Sequence, residues 1–124
     1  MVPSNKIKFF FPYKTRLSDR TRLKSFIESI FRKEKMALAE LNYIFCSDDE
    51  LLQINRQFLQ HNYYTDIITF DLSDTGNAIH AEVYISIERV KDNARKLGVS
   101  FRKELHRVIF HGVLHLCGYK DKKA

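Results

Sequence analysis

The sequence predicts an α+β fold, with a mixed and mostly four-stranded sheet and helices packed on it. Segments with the two-residue period of a strand and segments with helical periodicity follow the order β-α-β-α-β-β-α-α. Only the third and fourth strands are consecutive, joined by a turn-like segment at residues 73–77. One hairpin-like pair therefore sits among strands joined by helical crossovers, and crossovers favour parallel pairing.

The first quarter of the chain predicts a strand followed by a helix. The apolar run at residues 5–13 predicts the first strand, which ends near Pro12. Ser18 is the expected N-cap of a helix that reaches about Lys35. Apolar side chains recur in this helix at the spacing of one amphipathic face.

Three further strands are predicted by alternation of apolar and polar residues. Residues 40–46 form the second strand, residues 66–72 the third and residues 78–87 the fourth. Between the second and third strands, Ser47 with Glu50 three residues later has the spacing of a capping box, which predicts a second helix.

Two helices follow the fourth strand. The first spans about residues 88–97 and ends at Gly98, which suits the left-handed conformation after a helix. Ser100 then caps a helix that reaches Cys117. Apolar residues surround this last helix nearly completely, so we expect it to be buried.

Composition indicates a globular protein rather than a membrane-spanning one. Of 124 residues, 44% are hydrophobic and 29% charged, and we expect one domain over residues 1–124. No apolar run approaches the roughly 20 residues needed to cross a bilayer. Two cysteines are too few for a disulfide framework, which favours the cytoplasm. The net charge of +6 favours an anionic partner without identifying it.

The last helix carries two histidines one turn apart. His111 and His115 project from the same face and suit two ligands of a shared Zn²⁺. Two buried, hydrogen-bonded histidines would show the same spacing, so the pair alone does not decide. Gly118 can end the helix and return Asp121 toward that face, although an exposed tail residue is the alternative for Asp121. Two histidines and one carboxylate leave a position open for water, as in catalytic zinc sites.

The residue after His111 argues against one familiar type of zinc enzyme. Metalloproteases of the H-E-x-x-H type need a glutamate there as general base, and this chain has Gly112. Proteolysis of that type is therefore disfavoured.

The segment HGVLHLCGYKD resembles the signature H-G-x-L-H-L-x-G-Y-D-H of the YbeY family of bacterial rRNA-maturation endoribonucleases. Upstream, INRQFL and TDIITF resemble the family's L-N-x-x-[YF]-R and T-D-V-L-S-F, and AEVYIS resembles its G-D-I strand. The resemblance implies a metal-dependent endoribonuclease, selective for single strands, in small-subunit (16S) rRNA maturation and ribosome quality control. It implies RNA hydrolysis by a metal-activated water, one Zn²⁺ per chain or another divalent metal, and the ribosome or small-subunit proteins as partners.

The same resemblance assigns metal ligands and RNA contacts. His111, His115 and Asp121 are the implied ligands, and Asp121 stands where the family usually has histidine. A carboxylate there adds negative charge and broadens metal choice toward harder ions. Leu59 stands where the family usually has an arginine near the RNA. Either Arg56 or His61 takes over that contact, or activity is low.

Glu82 and Asn55 are the remaining predicted catalytic residues. Glu82 lies on the polar face of the fourth strand, as a general base or a hydrogen-bond partner of a ligating histidine, with a solvent-facing strand residue as the alternative. Asn55 matches the family's asparagine and is expected to orient a loop or contact RNA. Asp66 matches the family's T-D and is expected to cap backbone amides of a turn.

Two other functions stay open at this point. One is a ribosome-associated RNA-binding protein whose metal only stabilises the end of the chain. The other is a hydrolase acting on a different anionic substrate, because a metal and a basic surface do not specify RNA.

Overall fold

A computed structural model describes residues 6–74 and 78–119 of the chain. Strands and helices follow the predicted order: β1 (Ile7–Phe10), α1 (Arg20–Lys33), β2 (Leu38–Cys46), α2 (Asp48–Phe58), β3 (Ile67–Asp71), β4 (Ile79–Ser86), α3 (Ile87–Leu97) and α4 (Phe101–Leu116). The predicted turn at residues 73–77 lies partly outside the described residues, and Asp121 lies wholly outside them. Across these two described ranges, no helix is long and apolar enough to cross a membrane.

The four strands form one mixed sheet in the order β1-β2-β4-β3. The β1–β2 and β2–β4 pairs are parallel, and their connections run through helices. The β3–β4 pair is antiparallel, as a hairpin-like connection requires. The predicted α+β fold with a mixed four-stranded sheet is confirmed.

The two faces of the sheet carry different helices. Along β4, Ala81, Val83 and Ile85 are fully buried in the main core, which also includes side chains of α1, α3 and α4. On the opposite face, α2 packs Leu51 onto Ile68 of β3 in a smaller cluster. Because side chains of a strand alternate between faces, this division decides which β4 residues face α4.

Most predicted helix ends are confirmed by their hydrogen bonds. The Ser47 hydroxyl accepts from the Glu50 amide, and the Glu50 carboxylate accepts from the Ser47 amide, which completes the capping box of α2. Ser100 caps α4 through the Lys103 amide. Gly98 has φ 69° and ends α3 in the left-handed conformation that glycine adopts without strain.

The predicted start of α1 and two strand ends are wrong by a few residues. Asp19, and not Ser18, occupies the N-cap position, with φ 55° and no side-chain cap bond. The first strand stops at Phe10, before Pro12, and the second begins at Leu38. Local propensity marks such ends only approximately, because pairing with a neighbouring strand decides where each strand stops.

The prediction that α4 is buried all round is wrong. Val108, Ile109 and Val113 point into the core with at most 2% exposure. His111, Leu114 and His115 are exposed. The helix is therefore one-sided, and its outer face carries the histidine pair.

Gly112 sets how closely α4 approaches the sheet. A Cβ atom at this position would lie 2.9 Å from Cδ1 of Ile67, and 3.9 Å from both Oγ1 of Thr69 and Cγ1 of Val83. A glycine in the middle of a helix loses about 1 kcal/mol of helix propensity relative to alanine. The missing side chain lets α4 lie directly on β3 and β4, with His111 beside that contact.

We predict that position 112 tolerates alanine, with one side-chain carbon, but not valine, with three. Gly112→Ala is expected to change the free energy of unfolding by less than about 1 kcal/mol, because the gain in helix propensity offsets a small shift of the flexible Ile67 terminus. Gly112→Val should cost about 2–3 kcal/mol by overpacking against Thr69 and Val83. Leu114→Val on the exposed face is the control for the β-branched substitution. Urea denaturation measures all three, and equal costs for both valine variants would contradict this account of the contact.

Candidate functional site

A cavity of about 520 Å³ opens between β3 and α4. One side of the cavity is formed by β3 and the residues just before it. The other side is formed by α4. The lining residues are Thr65, Asp66, Ile67, Thr69, Arg107, Val108, His111, Gly112 and His115. Cavities that bind small ligands have volumes of roughly 300–1,000 Å³, so the volume of this one lies within that range.

The histidine pair belongs to the wall of this cavity. His111 and His115 are both exposed and lie one turn apart, about 6 Å along the helix axis. Exposure excludes the alternative of two histidines sealed in the core. Their ring nitrogens are accessible to a ligand in the cavity, which is the condition for binding a metal or contacting a substrate.

Asp66 lies across from the histidines at the start of β3. Its carboxylate accepts a hydrogen bond of 3.2 Å from Nδ2 of Asn93 on α3, and its backbone carbonyl accepts from the Ser86 amide at 3.0 Å. Burial raises the pKa of the Asp66 carboxyl, while the positive charge of Arg107 acts in the opposite direction. Asp66 is thus a half-buried acid in a polar network and not a simple turn cap.

A buried glutamate holds the one arginine of the cavity wall. Glu104 is 1% exposed and accepts two hydrogen bonds of 2.7 Å, from Nε and Nη2 of Arg107. Arg107 holds the pKa of the Glu104 carboxyl below its usual value, and a hydrogen bond with Asn93 adds to this effect. Asn93 therefore links Asp66 of the β3 side to the Glu104–Arg107 pair of α4.

None of Asn93, Glu104 and Arg107 is among the predicted site residues. One signal for Arg107 is readable in the sequence, because residues 107, 111 and 115 repeat every four positions and share a helical face. The parts played by Asn93 and Glu104 depend on packing of α3 against α4, which spacing along the chain does not reveal.

Asn55 lies under the loop that leads into the cavity. Its side chain is 1% exposed, and Nδ2 donates a hydrogen bond of 2.9 Å to the Tyr63 carbonyl. Its backbone carbonyl accepts from the amides of Leu59 and His61. These bonds tie the end of α2 to the loop before Thr65, so Asn55 orients a loop from below the surface.

Arg56, in the last turn of α2, and His61, on the loop after it, are exposed and lie outside the cavity lining. Nε of Arg56 donates to Oδ1 of Asn62, and the His61 ring stacks on Tyr63 with ring centroids 5.0 Å apart. Leu59 is 40% exposed at the C-cap of α2 and brings no charge. The arginine that does line the cavity is Arg107.

The structure does not bring Glu82 to the histidine pair. Its neighbour Val83 faces Gly112 of α4, so Glu82 lies on the opposite face of the sheet. There its carboxylate accepts a hydrogen bond of 3.1 Å from the Tyr84 hydroxyl. The sheet separates Glu82 from any group bound at the histidines, so direct proton transfer between them has no path.

The residues present fit part of a metal site. His111 and His115 offer two accessible imidazole donors on one wall of the cavity. Within the described ranges, no group of three or more His, Cys, Asp or Glu residues is placed to hold an ion. The third predicted ligand, Asp121, lies outside these ranges. Imidazole nitrogens with one carboxylate are an ordinary donor set for zinc.

Comparison with known proteins gives one consistent result. A family model described as Endoribonuclease YbeY matches residues 12–124. A protein named Endoribonuclease YbeY from Cytophaga hutchinsonii is 53% identical over 116 residues, covering 92% of this chain and 81% of its own length. Its namesake from Flavobacterium psychrophilum is 47% identical over 116 residues, covering 94% and 82%. A solution structure of a Thermotoga maritima protein has a TM-score of 0.61 at 31% identity, covering 94% of this chain and 77% of that one.

We predict that Asn55→Ala loosens the loop without disturbing α2 itself. The Tyr63 carbonyl loses its buried partner, which should lower the free energy of unfolding by about 1–3 kcal/mol. Hydrogen exchange should accelerate at residues 59–65. Gln53→Ala, on the exposed side of the same helix, is the control and should change stability by less than about 0.5 kcal/mol. Unchanged exchange in Asn55→Ala would mean that other contacts hold the loop.

We predict a pH-dependent gain in stability for Asp66→Asn. The folded-state pKa of Asp66 is raised above the usual 3.8. The stability that the protonated carboxyl contributes is therefore fully present below pH 3.8 and is lost as the pH rises through the folded-state pKa. Asparagine keeps the acceptor for Asn93 and cannot ionise. The variant should therefore gain stability relative to wild type as the pH rises from below 3.8 through the folded-state pKa of Asp66. Urea denaturation in a chelating buffer measures the difference, with Asp74→Asn as an exposed control, and a difference that stays constant with pH would contradict the prediction.

Proposed function

Since the chain belongs to the YbeY family of endoribonucleases, it is an RNA-cleaving hydrolase, and we propose that it cleaves single-stranded RNA at the cavity between β3 and α4. The observation that supports this location is the accessible pair His111 and His115 on the cavity wall. A metal that only stabilised the chain would fit a closed site better than this open one.

We assign the metal to His111, His115 and Asp121. The family is consistent with a metal-dependent enzyme, and zinc is our proposal for the ion. When bound, the ion supplies Lewis acidity, which lowers the pKa of water and draws electron density from a phosphoryl oxygen. The carboxylate of Asp121 makes harder divalent ions a second choice for this site.

Other residues in and near the cavity orient the substrate. Asp66 and Arg107 place one acidic and one basic group opposite and beside the histidines. Asn55 positions the loop that precedes Thr65. Arg56 and His61, both exposed, are assigned to contact the RNA strand as it approaches the cavity. Glu82 takes no part at the cavity, because the sheet separates it from the histidines.

The biological setting follows from the family. We propose small-subunit rRNA maturation and ribosome quality control as the process, the ribosome or its small-subunit proteins as partners, and the cytoplasm as the location. Residues 1–124 are proposed to act as one hydrolase domain. The net charge of +6 supports an anionic macromolecule as substrate.

We predict that the metal and the activity are lost together. Purified untagged protein should contain about one zinc per chain, and Asp121→Ala and His115→Ala should lose it, because three ligands are the usual minimum for such a site. His115→Ala should abolish cleavage of a single-stranded RNA. Since His115 is exposed, its loss should leave the melting temperature of the metal-free protein unchanged. Plasma mass spectrometry and gel-based cleavage assays measure both effects.

His106→Ala is the matched control. His106 lies on the same helix but outside the cavity lining, and its substitution should leave metal content and cleavage intact. If His115→Ala instead lowers the melting temperature and RNA affinity together, the metal is structural and the protein is an RNA-binding protein. Cleavage of small phosphodiesters without cleavage of RNA would assign a different anionic substrate.

A further inference from the structure

Arg107 shares one row of α4 with the two histidines. Arg107, His111 and His115 follow each other at intervals of four residues, so their side chains leave the helix on the same face. All three line the same cavity. Among the described residues of that lining, Arg107 is the one basic side chain besides the histidines.

The Arg107 guanidinium is held in place, and some of its N–H donors remain available for a ligand. Glu104 accepts from Nε and from Nη2, each at 2.7 Å, which fixes one edge of the planar group. A guanidinium has five N–H donors, so three remain on Nη1 and Nη2. The side chain is 54% exposed, while the Glu104 side chain behind it is only 1% exposed. The free edge is therefore the part of the group that a ligand can reach.

Glu104 is itself fixed from behind. Asn93 on α3 donates a hydrogen bond to Asp66, and its amide also lowers the pKa of the Glu104 carboxyl. The chain Asp66–Asn93–Glu104–Arg107 thus joins β3, α3 and α4. A residue in such a network pre-organises the guanidinium before the ligand arrives, which reduces the entropy lost on binding.

The charge of the cavity also requires this cation. A phosphodiester that approaches the histidines comes near the carboxylate of Asp66, and like charges repel. Arg107 lines the same cavity, and its positive charge acts on Asp66 as well. Planar N–H pairs of arginine match the oxygens of a phosphate better than the point charge of lysine does.

We infer that Arg107 binds a non-bridging oxygen of the RNA phosphate beside His111, and that Glu104 is the positioning residue that aims the guanidinium. This inference rests on the proposed function, because it takes RNA as the ligand of the cavity. It assigns to α4 the contact that Leu59 has no charge to make.

Cleavage rates of a single-stranded RNA oligonucleotide test the inference. Glu104→Gln/Arg107→Gln removes the cation without leaving a buried unpaired carboxylate, and its kcat should fall about 10²-fold. Arg107→Lys keeps the charge and a partner for Glu104, so it should fold, and it should lose about tenfold in kcat because the planar fork is gone. Arg102→Gln removes another exposed arginine of α4, which pairs with Asp19 outside the cavity, and should cleave as wild type does.

Salt dependence of RNA binding separates phosphate contact from general stability. With a chelator present to prevent cleavage, the slope of log K against log salt should fall by about 0.7 in the double variant and stay unchanged in Arg107→Lys and Arg102→Gln. Glu104→Gln should keep the slope, because the charge of Arg107 remains, yet lower kcat more than it raises KM. If Arg107 and Glu104 had a purely structural role, their substitution would lower the melting temperature and leave the salt slope and the ratio of kcat to KM unchanged.

The outcomes distinguish this inference from the proposed function. If the double variant cleaves and binds as Arg102→Gln does, while His115→Ala is inactive, the role of Arg107 is overturned and the cleavage site stands. Wild-type protein could instead bind RNA without cleaving it, while the slope of log K against log salt falls only in the double variant. Phosphate binding by Arg107 is then supported and the cleavage proposal fails. If wild type neither cleaves nor binds RNA, both are overturned.

Discussion

The close approach of α4 to the sheet is the constraint on which the site depends. Gly112 is in the middle of a helix, where glycine is unfavourable, and it lies against Ile67, Thr69 and Val83. The two histidines flank this contact, one immediately before Gly112 and one on the next turn. A larger side chain at 112 would lift the histidine face away from β3. The packing of α4 on the sheet and the position of the two histidines therefore both depend on Gly112.

A second constraint is electrostatic and joins elements that are distant in the chain. The Asp66–Asn93–Glu104–Arg107 network connects the start of β3 with α3 and α4. Breaking a buried pair by removal of one partner is far more costly than replacing both partners with neutral ones. The network therefore stabilises the arrangement of the three elements while it orients the groups around the cavity. The same residues thus contribute to stability and to the arrangement of charge around the cavity.

The sequence predicts local features well and the surroundings of the site less well. The capping box at Ser47, the caps at Gly98 and Ser100, and the order of elements depend on neighbours within a few residues, and all are confirmed. The burial of α4 was predicted wrongly because counting apolar residues ignores which side of the helix meets the sheet. Glu82 was assigned by its polar neighbours in the strand, but only the position of Val83 against Gly112 shows which face it occupies. The roles of Asn93 and Glu104 arise from helix packing, which has no pattern along the chain.

The row formed by Arg107, His111 and His115 has a consequence for how the family can vary. One inserted or deleted residue inside α4 turns everything beyond it by about 100° around the helix axis, so the row would be split at once. The connection between β3 and β4 carries none of these side chains. Length changes among relatives should therefore accumulate in that connection, while the stretch from 104 to 115 keeps a constant length even where its residues change.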